Sequence, residues 1–195
     1  MSACSYRSTG LKILRPLQDF RLHCVAVILL LIGLAQVHQA MARPPLFLPE
    51  DRLWREVVRE ASARDLDPGF VYAIIFAESS FNAHAHNQNA RGLMQLTPPA
   101  WEEVTNRPFY YAWNWRLNLQ AGLDYLVYCR AVLERHGSFS YPNLAAAYRY
   151  GPFHLQREGF SVARMPRPTN LVYQELFRGN IHPVPWPGRP GHGPI

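Results

Sequence analysis

The 195-residue sequence predicts a mostly α-helical fold with little β structure, and three observations carry that expectation. Apolar residues recur at helical spacing along most of the chain. Pro and Gly fall where those runs begin and end. No segment alternates apolar and polar residues as a half-buried strand would. With 48% hydrophobic and 17% charged residues, the chain has apolar matter for one modest core, which excludes a disordered or fibrous chain; the length excludes two large domains.

Taken in order, Arg7, Lys12, Arg15 and Arg21 precede an apolar run over residues 24–35, and Ala40-Met41-Ala42 follows it with the small-residue pattern of a signal cleavage site. Residues 1–42 therefore read as an export signal, or as an N-terminal anchor if they stay uncleaved. The apolar run is well short of the ~20 residues that span hydrocarbon. A periplasmic or cell-envelope location follows, with membrane contact only through that segment. Its removal would take Cys4 and Cys24 and leave Cys129, so no internal disulfide could hold the remaining domain together. Cys129 itself is in register with Gly122 and Leu126 and reads as a buried small hydrophobe.

Residues 43–178 are expected to form the helical domain. Leu53, Trp54, Val57, Val58 and Ala61 make the apolar stripe of a helix over 51–64. Asp67-Pro68 supplies an N-cap and a first-turn proline for a helix over 70–78 that is apolar nearly all round, hence central. Residues 79–96 are polar and broken by Gly92, and Thr97-Pro98-Pro99 opens a short helix to 104. Leu119, Leu123, Leu126 and Leu133 mark a longer helix that stops at His136-Gly137. A helix over 144–150 is stopped by Gly151-Pro152, and a last one over 170–178 ends before Gly179. Prolines 183, 185, 187, 190 and 194, mixed with glycines, predict that residues 179–195 form an extended surface or disordered tail without a core.

The formal charge is +6, yet every cation but Lys12 is arginine and four of them fall within residues 1–42. A lysine-rich arm of the kind that coats nucleic acid is absent, and no nucleic-acid partner is expected. His84 and His86 lack a third ligand at motif spacing, so no metal is expected there. Phe109, Tyr110, Tyr111, Trp113 and Trp115 form an aromatic cluster suited either to stacking on sugar rings or to packing in the core.

Glu78 stands out chemically. It closes the most apolar helix, where neighbours such as Ile74 and Ile75 and the negative end of the helix dipole both disfavour the ionised carboxylate. A carboxylic acid so placed can remain protonated near neutral pH and give its proton to a leaving group, as in glycoside cleavage; alternatively it leaves the core at a helix end and points to water. Ordinary glycosidases need a second carboxylate, and residues 79–97 contain none. One acid would suit a reaction whose nucleophile is a hydroxyl of the substrate itself.

Four ordered motifs then point to a family. Glu78-Ser79-Ser80-Phe81-Asn82 and Ala90-Arg91-Gly92-Leu93-Met94-Gln95-Leu96-Thr97-Pro98 resemble the Glu-Ser and Gly-Leu-Met-Gln motifs of soluble-type (SLT) lytic transglycosylases. Asn118, Gly122, Tyr125 and Leu126 resemble the family's Asn-x-x-x-Gly-x-x-Tyr-Leu helix, and residues 146–152 its Ala-Tyr-Asn-x-Gly-Pro motif. The resemblance covers about residues 55–155. It implies a lysozyme-like α-helical fold and cleavage of the β-1,4 bond between N-acetylmuramic acid and N-acetylglucosamine in peptidoglycan glycan strands, leaving a 1,6-anhydro end and using no cofactor. It implies Glu78 as sole general acid and base, with Ser79, Asn87, Met94, Gln95 and Tyr148 binding substrate. In particular, Gln95 would hydrogen-bond the sugar, Met94 would line the cleft, and Tyr148 would reach Glu78 or the sugar. Local wall opening for a secretion or conjugation apparatus is a role that family analogy allows.

The sequence departs from the family pattern in three ways. Arg149 replaces the Asn after the motif tyrosine, and Tyr150 replaces the small residue before Gly151. The segment between Glu78 and Gly92 is slightly short, with Asn87 where a serine is common. Two other readings remain: a hydrolytic muramidase on the same fold, and a non-catalytic peptidoglycan-binding protein.

Overall fold

The structure is a computed structural model that describes residues 46–189 together with residues 25, 27 and 28. The expected export signal otherwise lies outside the described residues. Residues 46–189 belong to one compact unit, Pro44–Ile195.

Helix α1 spans Glu50–Ser62 and buries Leu53, Val57 and Ala61, the i, i+4, i+8 stripe, while Glu50 and Asp51 meet the positive end of its dipole. Helix α2, Pro68–Ser79, starts as the sequence predicts: Pro68 is in its first turn and the Asp67 carboxylate accepts the Phe70 N–H at 2.8 Å. Residues 69–75 are all buried, so α2 is the central helix. It stops because Ser80 and Phe81 both adopt left-handed conformations, with φ of 49° and 65°, which turns the chain sharply just after Glu78 and Ser79. Phe76 is the exception to the apolar face, 37% exposed and edge-on to Phe81.

Downstream, α3 spans Pro98–Val104 with Thr97 as its cap, and a 3-10 turn covers Phe109–Trp113. The long helix α4, Trp115–Arg135, begins four residues before the expected start, because the Asn114 side chain accepts the N–H groups of Arg116 and Leu117. Its face buries Leu119, Leu123, Leu126, Cys129 and Leu133. Helix α5, Tyr141–Tyr150, is capped by Ser140. Gly151-Pro152 is a junction rather than a plain stop: Gly151, at φ 89°, breaks α5, and Pro152 opens a further helix α6, Pro152–Arg157, where its missing N–H costs nothing. After a 3-10 turn at Val162–Arg164, α7 spans Leu171–Phe177 behind the cap residue Asn170. Among the described residues there is no strand, only isolated bridges such as Phe47 with Asn82 and Arg91 with Leu96.

The C-terminal tail departs from expectation. Residues 179–189 lie on the surface without helix, as their prolines require, yet they pack onto the domain. Val184 is buried, Trp186 stacks on Trp54 with ring centres 5.3 Å apart, and His182 Nε2 is 2.8 Å from Asp67 Oδ1. Trp186, partly buried against the core, gives the extended segment an apolar anchor among its prolines.

Candidate active site

A cleft of about 360 Å3 opens between the C-terminal end of α2, the loop before α3, the middle of α4 and the end of α5. Its walls include Glu78, Asn87, Gln95, Tyr125, Tyr148 and Arg149, and Glu78 is the only carboxylate among the described residues that line it. The exposed aromatic residues Tyr110 and Tyr111 are not on these walls. In the same turn Phe109 and Trp113 flank the Arg91 guanidinium, 4.7 and 5.5 Å from their ring centres. His84 and His86 belong to the loop, with His86 edge-on to Trp113.

The loop wall is built by interlocking two of the sequence motifs. Asn118 and Gly122 are one helical turn apart, so they share a face of α4. Asn118 is fully buried; its Oδ1 accepts the Met94 N–H at 2.7 Å, while its Nδ2 donates to the carbonyls of Arg91 and Ala112 at 3.0 and 3.1 Å. Gly92, at φ 82°, lies directly against it: a Cβ there would fall 2.4 Å from Asn118 Nδ2. Gly122 makes room in the same way for the Met94 side chain, which is fully buried. Met94 therefore packs into the core and does not line the cleft, contrary to expectation. Its size is needed to fill the space over Gly122.

Gln95 does face the cleft, but most of its amide is committed. Its Nε2 donates to the carbonyls of Ala85 and Gly92 at 2.8 and 2.9 Å, which holds the residue at a positive φ of 48°. Its Oε1 accepts from Asn87 Nδ2 at 3.3 Å, and Asn87 Oδ1 accepts the N–H groups of Asn89 and Ala90. Both side chains line the cleft and at the same time fold its wall. Ser79 does not join them: its hydroxyl donates back to the Ile75 carbonyl at 3.2 Å within α2.

Tyr148 lines the cleft, yet its hydroxyl donates to the Met94 carbonyl at 2.7 Å, not to Glu78. The phenol that reaches Glu78 belongs to Tyr173 on α7, which donates to Glu78 Oε1. Asn170, the cap of the same helix, donates to the Ala77 carbonyl at 3.2 Å and so fixes α7 against the end of α2. The motif pattern carries no sign of Tyr173, which is far from Glu78 in sequence and belongs to none of the four motifs.

Arg149 completes the surroundings of the acid. Its Nη1 is 4.0 Å from Glu78 Oε1, and its guanidinium carbon lies 4.6 Å from the centre of the Tyr173 ring and 5.6 Å from that of Tyr150. Tyr150 in turn donates to the Pro166 carbonyl at 2.8 Å, which anchors its ring beside the arginine. The two departures from the family pattern are thus one unit, a cation held against aromatic faces at the cleft wall.

Burial is the largest influence on Glu78, whose side chain is 15% exposed, and it pushes the carboxyl above its usual range. The hydrogen bond from Tyr173 and the charge of Arg149 oppose this without cancelling it. Burial, reinforced by the nearby Glu78 charge, pushes the Tyr148 and Tyr173 phenols far upward, so both remain protonated donors. Burial works against the charge of Arg149, but the Tyr150 hydroxyl, Tyr173 and Glu78 more than compensate, and the guanidinium stays charged. The site thus pairs a carboxyl biased to its acid form with a permanent cation beside it.

The family model for the transglycosylase SLT domain matches residues 56–166. Among solved structures, the chain is similar to an inactive mutant of the lytic transglycosylase Slt from Pseudomonas aeruginosa, with 23% identity and a TM-score of 0.48; the match covers 66% of this chain and 22% of that one. The chain therefore spans only about a fifth of the length of that protein. No curated protein matches it. With a family match over more than half its length and all four motifs converging on one cleft, the chain belongs to the SLT family of transglycosylase domains.

Proposed function

We propose that this protein is a peptidoglycan lytic transglycosylase acting in the periplasm or cell envelope, with Glu78 as its only catalytic carboxylate. The observation that carries the reading is the cleft itself, which offers one buried, acid-biased carboxyl and no second carboxylate among its described walls. An inverting hydrolase needs a second carboxylate to activate water, and a retaining one needs it as nucleophile. A single acid in the cleft supports a reaction whose attacking group comes from the substrate.

The proposed cycle balances with Glu78 alone. Its carboxylic acid protonates the glycosidic oxygen as the bond to C1 of N-acetylmuramic acid breaks, releasing the C4 hydroxyl of N-acetylglucosamine. The resulting carboxylate then takes the proton of the muramoyl C6 hydroxyl as that oxygen bonds to C1, closing the 1,6-anhydro ring and returning Glu78 to its acid form. Burial favours the acid needed first. Tyr173 and Arg149 stabilise the carboxylate that exists between the steps, so it is not left as an unpaired buried charge. Attack by a hydroxyl already tethered to the reacting ring gains from proximity, and no metal or cofactor is invoked.

Mass spectrometry of the products released from purified peptidoglycan tests the reading. Anhydro-muropeptides are expected from the wild type, and Glu78→Gln should lower their release by more than 100-fold, since loss of a general acid commonly costs about 100- to 10,000-fold. Reducing-end products would replace the reading with a hydrolytic muramidase, and glycan binding without release would replace it with a binding protein. Wall opening for a secretion or conjugation apparatus remains part of the proposal, testable by whether such an apparatus assembles in cells carrying Glu78→Gln.

A further inference from the structure

Beyond its place beside the Glu78 carboxylate, Arg149 has donor capacity that the catalytic cycle does not use. An asparagine at this position, which the family pattern has, could hydrogen-bond a sugar; a permanent cation on the cleft wall calls for an anion. Among the described residues that line the cleft the only negative group is Glu78, yet Nη1 stands 4.0 Å from it, too far for a hydrogen bond, and Arg149 Nε is buried with no hydrogen-bond partner. The guanidinium carbon lies 4.6 Å from the centre of the Tyr173 ring and 5.6 Å from that of Tyr150, whose hydroxyl supports its charge. Moreover, when Glu78 is protonated for the first step, the cation has no counter-charge among the described cleft residues.

We propose that Arg149 is a carboxylate-recognition residue, which selects glycan strands bearing a free carboxylate next to the bond to be cleaved. This rests on the transglycosylase reading above and names the substrate class within it. A planar guanidinium presents paired N–H groups that match a carboxylate, and the Arg149 side chain, 28% exposed, lines the cleft where such a group would arrive. Two sources supply that group: the lactyl carboxylate of muramic acid in peptide-free strands, or a carboxylate of the stem peptide. Binding of either would also draw the arginine's charge away from Glu78, leaving burial to favour the acid that protonates the leaving oxygen.

The test compares kcat/KM for the full protein on peptide-free glycan strands and on peptide-bearing strands, each also with its carboxylates converted to neutral methylamides. Wild type should lose about tenfold or more on whichever neutralised strand had carried the recognised group, the usual loss for a charge-assisted hydrogen bond. Arg149→Asn should cleave charged and neutralised strands equally, and Arg149→Lys should keep part of the preference. Each protein serves as its own reference, so a smaller folded fraction cancels in the ratio. Loss confined to the peptide-free pair assigns the lactyl carboxylate, and loss confined to the peptide-bearing pair assigns the stem peptide. Equal cleavage of charged and neutral strands by wild type would overturn the proposal while leaving the transglycosylase reading intact. Failure to cleave any strand would overturn that reading and this one with it.

Discussion

Replacing Gly122 with alanine tests how the cleft wall is held. A Cβ at this position would fall 2.2 Å from Met94 Sδ and 2.9 Å from both Met94 Cβ and Cε. The sulfur and terminal methyl could swing aside, with Sδ retreating by more than about 1 Å to reach an ordinary contact near 3.5 Å. Met94 Cβ cannot, because it moves only with its backbone, and that backbone is tied on both sides: the N–H to Asn118 Oδ1 and the carbonyl to the Tyr148 hydroxyl, each at 2.7 Å. Overpacking of a core costs about 1–3 kcal/mol, and a site that cannot relax belongs near the upper end. Alanine returns up to about 1 kcal/mol of helix propensity in the interior of α4. The net expectation is a loss of about 2 kcal/mol, or roughly 4–8 °C in Tm for a chain of this size. Urea unfolding should show a lower midpoint at unchanged slope, and kcat should fall too, because the displaced segment carries Gln95 and supports Tyr148. An alanine variant as stable as the wild type would refute the reasoning, since helix propensity would then have outweighed a clash that the structure gives no room to relieve.

Two further predictions concern the acid and the tail. Tyr173→Phe removes the hydrogen bond that favours the Glu78 carboxylate and leaves burial less opposed, so the carboxyl should titrate at higher pH. In the proposed function Glu78 acts while protonated, so the alkaline limb of the kcat/KM profile should move to higher pH, with Arg149, Tyr125 and Tyr148 still lining the cleft; a limb that stayed put or moved down would contradict the assignment. Trp186→Ala removes a ring stacked on Trp54 and edge-on to His182 and should destabilise the domain by about 1–3 kcal/mol without altering the pH profile. Thermal unfolding measures it, and an unchanged Tm would mean that the Trp186 ring contributes nothing to the domain's stability.

What the sequence revealed depended on how locally each feature is determined. Asp67-Pro68 and Thr97-Pro98 could be read as helix starts because a cap bonds to a backbone N–H three residues on. Apolar periodicity alone places the start of α4 too late, because the capping bonds of Asn114 lie just outside the stripe. Glu78 was legible from its place at the end of an apolar helix. Tyr173 was not, because its bond to Glu78 depends on how α7 docks against α2, and Asn170 fixes that docking from a segment with no motif of its own. Met94 and Tyr148 could be found as motif members, but a motif does not separate residues that touch a ligand from residues that build the wall, and these two bond to each other.

That distinction narrows what the cleft has left to offer a ligand. Gln95 Nε2 has only two protons, and both are given to backbone carbonyls, so the side chain can present no more than its oxygen, already shared with Asn87. The Tyr148 proton is given to Met94 and that of Tyr173 to Glu78. Asn87 spends its oxygen on two backbone N–H groups. The polar side chains that look most like sugar binders are thus largely consumed in holding the loop in a conformation with positive φ at both Gly92 and Gln95. Among these groups, unspent capacity concentrates in the proton of Glu78 and the N–H groups of Arg149. Substitution of Arg149 should therefore abolish the preference between charged and neutralised strands, in addition to any loss that comes through Glu78, whereas substitution of Gln95 should act first on the fold of the loop and only through it on catalysis.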